Sequence, residues 1–138
     1  MALLAPTEEA TIDAMGDVAL DTVTVYPYSM HHPGERNAAF VREYKAVREP
    51  SARPTIMSVA AYDGMAAIYA ALKKTGGKTD GDALVGAMKG LTLDSPRGPI
   101  AIDATTRDVV QTQYIRRVKR VDGVLANVEF TSYGGTAR

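Results

Sequence analysis

Helical stretches with apolar faces outnumber the strands available to cover them, and this imbalance limits what the chain can fold into. Residues 35–47 place Phe40, Val41, Tyr44 and Val47 on one stripe at spacings of three and four, with Arg36, Arg42, Glu43 and Lys45 largely off it. Residues 55–74 predict the longest helix, with an apolar face of Ala61, Met65, Ile68, Tyr69 and Leu72 and many alanines that favour helix and close packing. Met57, Met65 and Met88 sit at core spacing and read as packing residues. Before these helices there is one β-prone run, Thr22-Val23-Thr24-Val25-Tyr26, ended or marked as an edge by Pro27. After them the chain turns to β. An α/β sheet needs parallel neighbours joined by crossovers, and this order supplies one or two such units at most.

Local signals set the boundaries. Thr7 can cap a helix over 8–15, with Glu8 and Glu9 in the first turn at the positive end of its dipole and Gly16 as its stop. Residues 28–34 read as a loop. Gly64, inside the longest helix, costs roughly 1 kcal/mol relative to Ala, which is accepted if another backbone passes close by. Lys73, Lys74 and Gly76-Gly77 end that helix. Thr79 can cap the next one, with Asp82 three residues on, burying Ala83, Leu84, Ala87 and Met88 before Gly90. A short strand follows at 99–102 and an acid-led turn at 103–107. Strands at 109–121 and 124–131 flank Asp122-Gly123, a two-residue hairpin signal. Tyr114, Arg116, Val118 and Arg120 share one face of the first of them. Neither face is cleanly apolar, which predicts an edge hairpin.

The 138 residues suffice for one domain with its own core. The 16 basic and 16 acidic side chains cancel, so no net field draws the chain to nucleic acid or to an anionic membrane. Cysteine is absent, which excludes disulfides, thiolate metal sites and a cysteine nucleophile. No apolar run is long enough to span a bilayer. Met1-Ala2-Leu3-Leu4-Ala5 is too short for a signal segment and lacks basic residues ahead of it, so any export signal is expected to lie outside this sequence.

Candidate chemistry is sparse. His31-His32 are adjacent, point in different directions and read as a solvated loop. Glu8-Glu9 serve the helix dipole, with contact to a cationic ligand group as the alternative. Asp94, Asp103 and Asp108 fit turn chemistry better than a metal cluster. No serine has a nucleophile-elbow context, and Gly76-Gly77-Lys78-Thr79 lacks the spacing and the preceding strand of a phosphate loop. Nothing assembles an acid–base pair or a triad, so no enzyme, cofactor or metal is expected.

The order of Ala61-Tyr62-Asp63-Gly64, Lys89-Gly90-Leu91, Pro96-Arg97-Gly98-Pro99, Ile102-Asp103, Arg107-Asp108 and the Asp122-Gly123 hairpin resembles the C-terminal part of the periplasmic solute-binding proteins of branched-chain amino acid ABC transporters. The resemblance runs over about 7–130. It implies an α/β fold, the C-terminal portion of a two-lobed type I periplasmic-binding architecture, here with three to four helices and a C-terminal β-hairpin. Residues 1–26 would end the second lobe, 27–100 would form a helical segment of the first lobe, and 101–138 would return through the hinge to the hairpin. The implied function is capture of a small carboxylate-bearing solute for a permease partner in the periplasm, by default a branched-chain amino acid, with aromatic or aliphatic acids or amides as the alternative solutes. A sensory regulatory domain of the same fold, signalling to a partner protein, is the alternative.

The family's ligand-holding acid aligns near Leu4, with Glu8 and Glu9 a turn away, and Met57 aligns with a pocket-lining aromatic. Leu4, Glu8 and Met57 are therefore the candidate ligand contacts. Most strands of each lobe are absent, so the helix faces of Phe40, Tyr44, Met65, Ile68 and Leu72 are expected to form an exposed apolar patch. Such a fragment is expected to be covered by a partner segment, by exchanged elements or by a second copy.

Overall fold

The computed structural model describes residues 2–3, 8–9 and 11–135. Among them run β1 (Ala2–Leu3), α1 (Ile12–Met15), a 3-10 turn (Gly16–Ala19), β2 (Val23–Tyr26), α2 (Glu35–Val47), α3 (Ile56–Lys74) and α4 (Gly81–Met88). The β-rich end follows as β3 (Thr92–Ser95), β4 (Gly98–Ile102), β5 (Val109–Val110), β6 (Gln113–Val121) and β7 (Val124–Tyr133). This is the mixed α/β pattern expected, with an additional small sheet.

The strands form two sheets. One has the order β1-β2-β6-β7, the other β3-β4-β5. β1 runs parallel to β2, and β2 is antiparallel to β6 with Val25 opposite Ile115. The expected strand over 109–121 is thus two strands in different sheets, β5 beside β4 and β6 beside β2, separated at Gln111-Thr112. The hairpin lies at one edge of this sheet, as expected, with β7 outermost and β6 paired on both sides. Asp122 (φ 49°) and Gly123 (φ 83°) are both left-handed, as a tight two-residue hairpin turn requires. A second hairpin, β3 to β4, escaped the sequence reading. Pro96 and Arg97 form its tip, and Gly98 takes φ 88° behind them.

Two apolar clusters hold the chain. Ile12, Ala19, Val118 and Leu125, with Met15, pack α1 onto the four-stranded sheet. Tyr28, Phe40 and Val59 join the loop after β2 to α2 and α3. The ring of Phe40 meets Tyr62 at 5.1 Å and Tyr28 at 6.5 Å, both edge-on.

Several local expectations are revised. The helix expected over 8–15 begins at Ile12; ahead of it the Thr11 and Ile12 amides donate to the Glu8 carbonyl at 2.9 and 2.8 Å, a turn rather than helix. Thr7 lies outside the described residues. Gly16, at φ 60°, ends α1 as expected, and the 3-10 turn over Gly16–Ala19 follows it. Asp80 rather than Thr79 caps α4, its Oδ1 accepting from the Ala83 amide at 2.9 Å.

The buried face of α3 is Val59, Asp63, Ala67 and Ala71, while Met57, Met65, Ile68 and Tyr69 are exposed. Small residues at four-residue spacing let the helix approach its neighbours closely, and the bulky stripe faces away. Phe40 leaves the expected patch for the core, whereas Met65 and Ile68 remain in it. A side chain at Gly64 would meet no atom within 4 Å, so no backbone approaches it here.

Candidate functional site: a buried polar network around Glu9 and Arg116

Docking of α1 on β6 and β7 carries the preceding turn over the sheet and lays Glu9 beside Asn127. Glu9 is 3% exposed. Its Oε1 accepts from the Asn127 amide at 3.2 Å and from Asn127 Nδ2 at 3.4 Å. Ser29 Oγ lies 3.2 Å from the same carboxylate oxygen and donates to the Asn127 carbonyl at 2.7 Å. Thr24 Oγ1 donates to Asn127 Oδ1 at 3.0 Å, and Arg116 Nε donates to Thr24 Oγ1 at 3.1 Å. Arg116 also donates to the Tyr28 carbonyl and lies 5.2 Å from the ring centre of Tyr26. Arg53 closes the far side, donating to the Glu9 carbonyl at 2.9 Å and to Asp13 Oδ2 at 2.8 Å. Glu9 Oε2 alone among the described buried side-chain atoms has no hydrogen-bond partner, and it stands 4.0 Å from Arg53 Nη1.

The electrostatics follow from burial. Desolvation raises the pKa of Glu8, against the attraction of Arg116 and a hydrogen bond from the Tyr26 hydroxyl. Burial and then the neighbouring Glu8 raise Tyr26. Burial pulls Arg116 down, opposed by Glu9, Glu8 and Glu129, and a guanidinium so surrounded keeps its charge.

A second polar cluster sits at the other sheet. Asp63 Oδ2 accepts from Ser95 Oγ at 2.9 Å and from Arg97 Nε at 3.0 Å. Arg97 also donates to Gln111 Oε1. Burial raises Asp63 despite Ser95 and Arg97. The Tyr114 hydroxyl donates to the Arg97 carbonyl at 2.8 Å. The ring of Tyr114 packs 4.7 Å from that of His32, whose Nδ1 stands 2.9 Å from Glu129. The solvated reading of the histidine pair therefore holds for exposed His31 and is corrected for His32, which the loop turns inward onto β6 and β7.

The three candidate ligand contacts are not assembled by these networks. Leu4 lies outside the described residues. Glu8 is half-buried with Tyr26 and Arg116, and Met57 is 75% exposed on the first turn of α3. Asp103 does turn chemistry, its Oδ1 accepting from the Thr105 and Thr106 amides at 2.8 and 2.7 Å. Among the described residues no group of three or more His, Cys, Asp or Glu could hold a metal ion. Sequence reasoning missed Arg116, Asn127, Asp63 and Arg97 as buried polar groups. The signal for Arg116 was its alternation with Tyr114 and Val118 on one strand face.

The sheet order, the long central helices and the hairpin that closes onto the first strands define a portion of a two-lobed binding protein. The chain belongs to the periplasmic binding protein family, whose model matches residues 1–123, and is of the type I kind found with branched-chain amino acid-type ABC transporters. It is similar to Leu/Ile/Val-binding protein homolog 6 of Brucella abortus (strain 2308), 40% identical over 129 residues, which is 92% of this chain and 33% of that protein. The chain thus spans about a third of the length of such relatives.

Among solved structures it is similar to a solute-binding protein of an ABC transporter from Rhodopseudomonas palustris BisB5 in complex with 3,4-dihydroxybenzoic acid. That likeness has 50% identity and a TM-score of 0.88, over 94% of this chain and 35% of that one. A second, from Rhodopseudomonas palustris HaA2 in complex with p-hydroxybenzoic acid, is 33% identical with a TM-score of 0.86, over 96% and 37%.

Proposed function

We propose that this chain is part of the periplasmic solute-binding component of an ABC transporter and that its solute is a small carboxylate, an aromatic acid in preference to a branched-chain amino acid. The observation that carries the preference is the engagement of the acids near the start of the chain. Glu9 is enclosed and bonded to Asn127, and Glu8 is held by Tyr26 and Arg116. Burial shuts Glu9 away from a ligand ammonium although its Oε2 lacks a hydrogen bond, Glu8 is occupied by Tyr26 and Arg116, and Leu4 brings no charge to the position where the family places its acid. An aromatic acid has no ammonium to satisfy. The bound hydroxybenzoates of the two similar Rhodopseudomonas proteins support the same choice.

In this reading 1–26 and 101–138 belong to one lobe with its hinge strands and 27–100 to the other. The pairing of β2 with β6 supports grouping 1–26 with the C-terminal hairpin, whereas the sheet of β3, β4 and β5 runs across the boundary at 100, with β4 spanning Gly98–Ile102. Met57, exposed on α3, would face the solute across the cleft, and a permease would be the macromolecular partner. Solute capture needs no cofactor and no catalysis. The exposed Met65, Ile68 and Tyr69 support cover by a further segment or a second copy.

A thermal-shift titration of this chain tests the reading, with native mass recorded on the same sample. The ligands are 4-hydroxybenzoate, 3,4-dihydroxybenzoate, leucine, isoleucine and valine. A saturable rise in melting temperature with the hydroxybenzoates is expected. A rise with the amino acids alone overturns the aromatic preference, and no rise with any ligand overturns solute binding by this chain.

A further inference from the structure

We propose that Arg97 is a positioning residue that couples α3 to the strand crossing at Gln111-Thr112, so that the two sheets and the helix behave as one body. The inference rests on the geometry of one turn and holds whichever solute is bound.

Between β5 and β6 the chain passes from one sheet to the other through Gln111 and Thr112. A two-residue connection ties the sheets at a single point, and a second tie fixes their relative orientation. Arg97, at the tip of the β3–β4 hairpin, is that second tie. Its guanidinium reaches Asp63 in the middle of α3 and Gln111 in the crossing. Its carbonyl accepts the Tyr114 hydroxyl of β6 at 2.8 Å, and its amide donates to Ser95 Oγ at 3.2 Å, the same hydroxyl that donates to Asp63. One residue thus touches α3, β3, the crossing and β6.

The backbone side is equally constrained. A Cβ on Gly98 would stand 2.7 Å from the Tyr114 hydroxyl oxygen and 3.7 Å from His32 Nε2, so the turn is seated against β6 with no room for a methyl group. The planar fork of an arginine suits this task, because one group satisfies a carboxylate and an amide oxygen in fixed directions. Lysine offers the charge without the fork.

An ion pair that merely stabilised the fold would, when lost, loosen every segment together. A coupling residue loosens the crossing first. Hydrogen exchange read by mass spectrometry on the 138-residue chain separates the two. Arg97→Met is expected to speed exchange at 109–113 about tenfold or more, with 35–47 and 124–133 unchanged, and Arg97→Lys to fall between. Gln111→Ala removes only the far contact, leaves the buried pair intact and is expected to give the same local loosening even if Arg97→Met does not fold. Unchanged exchange at 109–113 in Gln111→Ala, or a uniform rise across the chain in both variants, overturns the proposal.

Discussion

Ser29 and Asn127, 98 residues apart, are joined by a 2.7 Å bond in which the serine hydroxyl donates to the asparagine carbonyl. The hydroxyl also lies 3.2 Å from Glu9, but it has one proton, and the shorter contact takes it. Ser29→Ala removes the bond that the hydroxyl donates to that buried carbonyl. The expected cost is about 1–3 kcal/mol, measured as a lower urea midpoint with unchanged slope. A shift within the noise of the wild type would mean that water replaces the hydroxyl.

Glu8 carries a pH dependence whose sign follows from its surroundings. Its folded pKa is raised above 4.5 by burial, so the folded chain holds this proton to higher pH than the unfolded chain does. The contribution to stability is complete below 4.5 and is lost as pH rises through the folded value. Glu8→Gln keeps an acceptor for Tyr26 and never ionises. It is expected to be more stable than the wild type at neutral pH, with the gain vanishing near about pH 4. Urea midpoints at the two pH values decide it. A neutral-pH loss would show that attraction to Arg116 outweighs burial.

Phe40 and Ile68 were grouped in one apolar patch by the sequence, and the fold separates them. Phe40 is 5% exposed among Tyr28, Val59 and Tyr62, whereas Ile68 is 38% exposed. Phe40→Ala is expected to cost about 3–5 kcal/mol. Ile68→Ser is expected to stay within about 0.5 kcal/mol. Thermal melts of both variants make the comparison, and equal losses would place Ile68 in a buried interface.

Two hairpin glycines distinguish backbone strain from crowding. Gly98 and Gly123 have φ of 88° and 83°, so alanine at either is strained by about 1–2 kcal/mol. Only at Gly98 does the added Cβ meet a neighbour, Tyr114, whereas at Gly123 nothing lies within 4 Å. Gly98→Ala is therefore expected to melt lower than Gly123→Ala. Gly98→Ala combined with Tyr114→Phe recovers part of the difference if the hydroxyl is the obstacle.

Elements with one dominant local cause were legible in the sequence. Periodicity gave α2 its bounds, and Asp122-Gly123 marked the β6–β7 turn. The interior was harder to read, because burial depends on partners distant in sequence. Asp63 lies in the buried face of α3 only because Ser95 and Arg97 meet it there. Arg116 lies in an interior strand because Thr24 and the Tyr28 carbonyl accept from it. Hydrophobic patterning counts such groups as surface. Of the candidate contacts, alignment alone carried Leu4 and Met57, and only Glu8 has a pairing within the described residues.

The register of β2 has a kinetic corollary. Thr24 finds Asn127 across 103 residues, and Val25 faces Ile115, whereas α2, α3 and α4 are made of local contacts. Closing so long a loop costs entropy before any pairing rewards it. The helices can therefore form early, while β2 and its buried polar side chains stay unpaired until β6 and β7 arrive. In synthesis from the N-terminus, the four-stranded sheet is completed only after α2, α3, α4 and the sheet of β3, β4 and β5 have been made.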